Sequence, residues 1–197
     1  MATTHDPAAA LATARRVRFT KDQYYKLGDL GFFPDKRIEL VRGELWHMTI
    51  NPPHAIASGL AEEPLRNAFG PGHSCRTAVP LDLGRHNQPE PDIAVVPGNP
   101  RDYTSHPTTA LLVVEIADAT LRRDRTIKAH LNAWADIADS WIVNLVDRQV
   151  EVHRAPGPDA DRRGRFKYHD VAVVPATGHV EPLAKPGARI AVADLLP

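Results

Sequence analysis

Apolar residues recur at helical intervals in three stretches of the chain. The first stretch begins at Thr20, which opens a capping-box pattern, and Gly31 ends it. A second helix is predicted over 54–69. The clearest pattern lies over 124–137, where Asp124 is the predicted N-cap.

Shorter apolar runs predict the strands. Two alternating runs within 37–48 flank Arg42-Gly43, which favours a hairpin turn. The runs 92–96 and 111–116 are rich in branched residues, as is typical of central, buried strands. Further strands are predicted over 75–83, 141–145, 149–154 and 165–174. Helices and strands interleave without regular βαβ units, so the sequence predicts an α/β fold with a mixed central sheet flanked by helices.

Length and composition favour one globular domain. The chain has 197 residues, of which 43% are hydrophobic and 24% charged. We expect a flexible N-terminal tail over 1–17 and a single domain over 18–197. The single cysteine, Cys75, excludes an internal disulfide. Since no apolar run reaches about 18 residues, no membrane span is expected, and the cytoplasm is the expected location.

Two carboxylates stand out within the predicted sheet. Asp92 opens one buried strand and Glu115 lies near the end of another. A carboxylate in an apolar strand is costly unless a partner compensates it. If the strands are neighbours, the two groups meet and provide the hard oxygen ligands that suit Mg²⁺. The alternative is structural, with Asp92 as a turn residue and Glu115 paired with an arginine.

Basic residues follow these carboxylates at the start of the predicted helix. Lys128 lies one turn inside it, where its ammonium could orient or help to deprotonate an attacking water. Arg122, Arg123 and Arg125 stand beside it and could bind DNA phosphates. A solvated surface lysine and a solvated basic turn are the alternatives. The formal net charge is zero, so any affinity for nucleic acid must come from such a local patch.

These motifs, in this order, resemble the Uma-type restriction endonucleases of the PD-(D/E)XK nuclease superfamily. The resemblance spans about 19–156. It is carried by Ile38-Glu-Leu-Val-Arg-Gly-Glu-Leu45, Pro89-Glu-Pro-Asp92, Val113-Val-Glu-Ile116, Asp124-Arg125-x-x-Lys128 and Ser140-Trp-Ile-Val143.

The resemblance implies a restriction-endonuclease-like core that cleaves DNA with Mg²⁺, or with Mn²⁺ in its place. It carries over Asp92 and Glu115 as metal ligands. Ala117 stands where the superfamily has lysine, and Lys128 matches the relocated lysine of the Uma-type pattern. A further acidic ligand corresponds to Glu39 or Glu44, of which we favour Glu39.

Three further expectations rest on the resemblance. His54 matches a histidine that would contact phosphate, although a plain histidine at a helix start is the alternative. Nucleases of this fold often act as dimers, so a homodimer is expected. A nucleic-acid-binding protein that keeps the fold but has lost cleavage is the alternative function, because of Ala117.

Overall fold

A six-stranded sheet organises the part of the chain that the computed structural model describes, residues 16–197. All but the last two residues of the predicted tail at 1–17 therefore lie outside the described residues. The strands in chain order are β1 (Arg37–Val41), β2 (Glu44–Met48), β3 (His73–Thr77), β4 (Ile93–Pro97), β5 (Leu112–Ala117), β6 (Asp139–Asn144), β7 (Gln149–Pro158), β8 (Phe166–Pro175), β9 (His179–Val180) and β10 (Ile190–Ala191).

The central sheet is mixed, as predicted. Its order is β3-β4-β5-β6-β7-β8, in which β5 and β6 are parallel and every other neighbouring pair is antiparallel. The strands β1 and β2 form a separate antiparallel hairpin about Arg42-Gly43, and β9 pairs with β10. The α/β fold class and its mixed central sheet are thus confirmed.

Three longer helical segments lie within residues 16–197, and the second and third of them pack on opposite faces of this sheet. They are α1 (Lys21–Asp29), α2 (Pro52–Phe69), and a helical segment over 121–134 that we call the 121–134 helix. The last consists of α3 (Leu121–Arg123), a π-helical segment (Asp124–Lys128) and α4 (Ala129–Trp134). Short 3₁₀ helices lie at Pro100–Asp102 and Val192–Leu195.

Alternate residues of β4 and β5 divide the core into two layers. One layer joins α2 to Ile93, Val95, Val114 and Ile116. The opposite layer joins Ala94, Val96 and Val113 to residues of the hairpin and the 121–134 helix, namely Val41 and Leu131. The period of two in a strand therefore places Asp92 and Glu115 on the second face, towards the 121–134 helix.

Two predicted elements differ from the observed ones. The strand predicted over 75–83 ends at Thr77, because Ala78 adopts a left-handed φ of 51° and the chain leaves the sheet. Leu81 and Leu83 are still buried, so their apolar pattern reflects core packing in a loop. The helix predicted from Asp124 already begins at Leu121.

The predicted cap at Asp124 is wrong for a physical reason. Asp124 has helical dihedral angles, and its carboxylate is buried and accepts a hydrogen bond of 2.6 Å from the Thr120 hydroxyl. By contrast, Thr20 and Gln23 form the predicted capping box at the start of α1. Among residues 16–197, no helix is both long and apolar enough to cross a membrane.

Candidate active site

Asp92 and Glu115 face each other across two neighbouring strands. Ile93 on β4 pairs with Val114 on β5, so the antiparallel register continues to Asp92 opposite Glu115. Directly opposite residues present their side chains on the same face of a sheet. The structure therefore brings the two predicted carboxylates together.

Two groups hold the Asp92 carboxylate. The Ile116 N–H donates a hydrogen bond of 2.7 Å to Oδ2 of Asp92, and His54 Nε2 lies 3.1 Å from the same oxygen. His54 reaches this position from the first turn of α2, whose N-cap Asn51 accepts a hydrogen bond from the His54 N–H.

The charges around Asp92 keep it ionised. Burial raises the pKa of Asp92, but the hydrogen bond from His54 and the nearby Lys128 ammonium outweigh burial and lower it overall. The same hydrogen bond raises the pKa of His54 above its ordinary value. His54 is thus the direct partner of a predicted metal ligand.

Lys128 points inward from the 121–134 helix. Its Nζ donates a hydrogen bond of 2.9 Å to Oε2 of Glu115, and the two residues are 2% and 3% exposed. The alternative of a solvated surface lysine is therefore wrong. Lys128 ends the π-helical segment, whose two buried residues are Asp124 and Lys128. Such wide turns are frequent at functional sites.

Burial and the ion pair act in opposite directions on these two groups. Burial raises the pKa of Glu115 to about 8, and the Lys128 ammonium opposes that rise. Burial would lower the pKa of Lys128, but Glu115 and Glu39 outweigh it, so that this pKa lies above its ordinary value. Lys128 is accordingly a protonated donor at neutral pH.

The structure places Glu39, and not Glu44, beside this lysine. Glu39 is 1% exposed, with Oε2 3.6 Å from Lys128 Nζ and Oε1 3.6 Å from a guanidinium nitrogen of Arg123. Its Oε2 also accepts a hydrogen bond of 3.2 Å from the Glu90 N–H. Glu44 lies on the exposed strand of the hairpin. Lys128 and Arg123 thus already contact the Glu39 carboxylate. That Glu39 also binds a metal ion directly stays a prediction.

The donor set suits a hard cation held by two carboxylates. The hydrogen bonds of Asp92 and Glu115 to described residues use one oxygen each, Oδ2 and Oε2, so the second oxygen of each group is available to an ion. Within residues 16–197, no three His, Cys, Asp or Glu side chains are grouped so that they could hold a metal. These ligands therefore fit Mg²⁺, which keeps several waters and substrate oxygens, better than a closed all-protein cage.

The three predicted phosphate-binding arginines occupy different environments. Arg122 is exposed. Arg123 is half-buried against Glu39 and lies 5.5 Å from the centroid of the Trp46 ring. Arg125 is exposed, but two of its nitrogens donate hydrogen bonds to the Glu151 carboxylate, at 2.6 and 2.9 Å. Arg122 is thus the member of the cluster that remains best placed to contact phosphate.

Sequence reasoning missed the part that Asp124 plays in the site. Burial raises the pKa of its carboxylate, and the Lys128 ammonium opposes the rise. The spacing of four residues to Lys128 was the available signal, because residues i and i+4 share one face of a helix. The capping interpretation obscured it.

Comparison with known proteins supports the fold and identifies the family. The fold matches the crystal structure of a "putative nuclease" from Anabaena variabilis, with a TM-score of 0.67 and 13% identity over 90% of this chain and 97% of that one. No curated protein matches the chain. The model of the Uma2 family, described as "Putative restriction endonuclease", matches residues 22–192. The chain therefore belongs to the Uma2 family of restriction-endonuclease-like proteins.

Proposed function

We propose that the protein is a divalent-metal-dependent DNA endonuclease. The observation that carries this proposal is the pairing of Asp92 with Glu115 on one face of the sheet, with the Lys128 ammonium 2.9 Å from Glu115. Two carboxylates and a buried cation are costly to keep in a core without a function or full compensation. Membership of the family and the shared fold support a nuclease.

Asp92 and Glu115 would hold Mg²⁺, or Mn²⁺ in its place. A bound ion of this kind polarises a phosphodiester and lowers the pKa of a coordinated water. His54 and the Ile116 N–H fix the orientation of Asp92, and His54 helps to keep it ionised. Burial raises the pKa of Glu115, and the positive charge of the Lys128 ammonium 2.9 Å away favours its ionised form, the form that would bind a cation.

Lys128 would act as a fixed positive charge and hydrogen-bond donor. Its raised pKa disfavours the role of a general base, since it would hold its proton at neutral pH. A preorganised ammonium instead orients the attacking water and offsets the charge that develops on the phosphoryl oxygens. Glu39 would position Lys128 from β1 rather than bind substrate.

Plasmid cleavage tests this proposal. Purified protein should nick or linearise DNA with Mg²⁺ or Mn²⁺ and not with EDTA. Asp92→Asn and Glu115→Gln should abolish cleavage, and each variant should be checked for folding by circular dichroism. Cleavage that survives both substitutions would disprove the assignment.

Asp139→Asn provides the matched control. Asp139 is a fully buried carboxylate of the same sheet, and it pairs with Arg154 at 3.0 Å instead of with the site. Its substitution perturbs a buried ion pair without touching the predicted ligands. Folded Asp139→Asn protein should therefore cleave DNA at the wild-type rate.

A catalytically inactive nucleic-acid-binding protein is the second candidate. Ala117 on β5, where the superfamily has lysine, favours it. Gel shifts without cleavage under every metal would support this candidate. Turnover that depends on Lys128 would exclude it. The expected homodimer stays a prediction, which sedimentation would test.

A further inference from the structure

A groove rich in arginine lies beside the C-terminal end of the 121–134 helix. It encloses about 380 Å³, and its described lining residues include no aspartate or glutamate. Arg18, Arg42 and Arg85 line it together with His130 and Trp134. In a chain whose formal net charge is zero, this is a marked local excess of positive charge.

Backbone hydrogen bonds fix the walls of this groove. The Gly43 N–H donates to the His86 carbonyl at 2.8 Å, and the Arg42 N–H donates to Asn87 Oδ1 at 2.7 Å. Gly43 has a φ of 77°, and a Cβ there would lie only 2.5 Å from the Cβ of Arg18. Arg18 is therefore packed directly over the hairpin turn that presents Arg42.

A second cavity lies on the other element that contacts His130. His130 lines both cavities, and the second, of about 240 Å³, is lined by Arg162 and Arg165 from the segment between β7 and β8 and by an ion pair of Lys167 with Asp159. Burial is the main cause that lowers the pKa of His130, and the guanidinium groups of Arg42 and Arg165 lower it further, against the Phe166 carbonyl and the Asp159 carboxylate, which raise it. Arginines of the hairpin and of the segment before β8 thus both act on His130.

Trp134 gives the groove an aromatic surface. Its side chain is 47% exposed, whereas Trp141 is fully buried. A Cβ added at Gly84 would stand 3.8 Å from the Trp134 ring, so the backbone at Gly84 lies against that ring. A half-exposed indole next to arginines is the combination that single-stranded nucleic acid favours, with bases stacked on aromatic rings and phosphates on cations.

We propose that this groove binds a single-stranded stretch of nucleic acid, with Arg18, Arg42 and Arg85 on phosphates and Trp134 stacked on an unpaired base. The proposal rests on the proposed function only in taking nucleic acid as the substrate. It identifies a surface different from the predicted cluster at Arg122, Arg123 and Arg125.

The groove lies within reach of the candidate active site along two elements. Lys128 and Trp134 belong to one helix, and a rise of about 1.5 Å per residue separates them by roughly 9 Å along its axis. On the hairpin, Glu39 contacts Lys128 and Arg42 follows three residues later, roughly 10 Å along the chain. A nucleic-acid strand bound in the groove would therefore need to extend by only a few nucleotides to reach Asp92 and Glu115.

Binding in EDTA tests the proposal independently of cleavage. Fluorescence anisotropy would measure the affinity of the full chain for a labelled single-stranded oligonucleotide and for its duplex. The double variant Arg18→Gln/Arg85→Gln should weaken single-strand binding about tenfold or more. It should also reduce the slope of log K against log salt concentration, the salt slope, by about 1.4, since each phosphate that is no longer neutralised accounts for about 0.7.

Arg101→Gln/Arg189→Gln is the matched control, because it removes the same charge from two exposed arginines elsewhere. Equal affinities of the two double variants would overturn the proposal.

Trp134 separates stacking from charge. Trp134→Ala should weaken single-strand binding about tenfold and leave duplex binding unchanged, while Trp134→Phe should retain most of the affinity. Equal losses for duplex and single strand would overturn the stacking role. Groove-dependent binding without metal-dependent plasmid cleavage would reject the proposed function alone. Cleavage with no effect of the groove variants on affinity would reject the groove alone.

Discussion

Lys128 Nζ lies 2.9 Å from Glu115 Oε2 in a part of the core from which solvent is almost excluded. Glu39 stands on the other side of the same ammonium at 3.6 Å. One cation thus compensates two buried carboxylates from separate elements, β1 and β5. The stability of the apo protein and the chemistry of the site consequently depend on the same residue.

Lys128→Met should destabilise the metal-free protein by about 3–5 kcal/mol, because it leaves buried carboxylates without their cation. In the Glu115→Gln background, the same substitution should cost clearly less, since one of those carboxylates is gone. Urea unfolding of the four proteins in EDTA measures this coupling. Strictly additive losses would show that the pair does not interact.

His54→Ala should weaken Mn²⁺ binding about 10- to 100-fold, the usual effect of removing a hydrogen-bond partner of a metal ligand. His54 contacts Asp92 Oδ2 at 3.1 Å, so its removal frees the carboxylate to rotate and raises its pKa. Calorimetry with Mn²⁺ measures the change.

DNA affinity in EDTA distinguishes the two predicted roles of His54. A histidine that only orients Asp92 leaves this affinity unchanged. A several-fold loss of affinity without any change in Mn²⁺ binding would support the phosphate contact and contradict the orienting role.

The carboxylate pair could be predicted from the sequence because strands have a simple period. Asp92 opens one short apolar run and Glu115 lies near the end of another, and side chains that alternate along two paired strands bring these positions together where the register sets them opposite each other. The hairpin was predictable for a similar reason, since two alternating runs flank Arg42-Gly43. Both turn residues adopt the positive φ that this turn requires. Local patterns were sufficient in both cases.

The environment of Lys128 could not be read from the sequence. The burial of Asp124 and Lys128 accompanies a π-helical turn, and the apolar pattern of the segment predicted a regular helix there. The groove was missed because its arginines come from three distant segments, at Arg18, Arg42 and Arg85. Only the tertiary fold assembles them.

Arg122→Gln and Arg125→Gln should affect different properties, DNA binding and stability. Arg122 is exposed, so its substitution should change stability by less than about 0.5 kcal/mol and should lower the salt slope of duplex binding by about 0.9. Arg125 holds the buried Glu151, so its substitution should cost about 1–3 kcal/mol of stability. Thermal unfolding and anisotropy measure the two effects. If Arg125→Gln weakened DNA binding with no loss of stability, the ion pair with Glu151 would not be the role of this residue.

His153 should make the protein less stable in mild acid. Its buried ring lies 3.7 Å from Glu151 and meets the Tyr168 ring edge-on at a centroid distance of 5.7 Å. Burial lowers the pKa of His153 below its ordinary value of 6.5, although Glu151 opposes the shift. The unfolded chain therefore takes up a proton more readily than the folded protein, and the free energy of unfolding falls as the pH drops through 6.5.

Urea unfolding of wild type and His153→Asn between about pH 7.5 and 5.5 isolates this effect, because the other titrating groups are common to both proteins. The wild type should lose stability relative to the variant as the pH falls, and parallel curves would contradict a lowered pKa at His153.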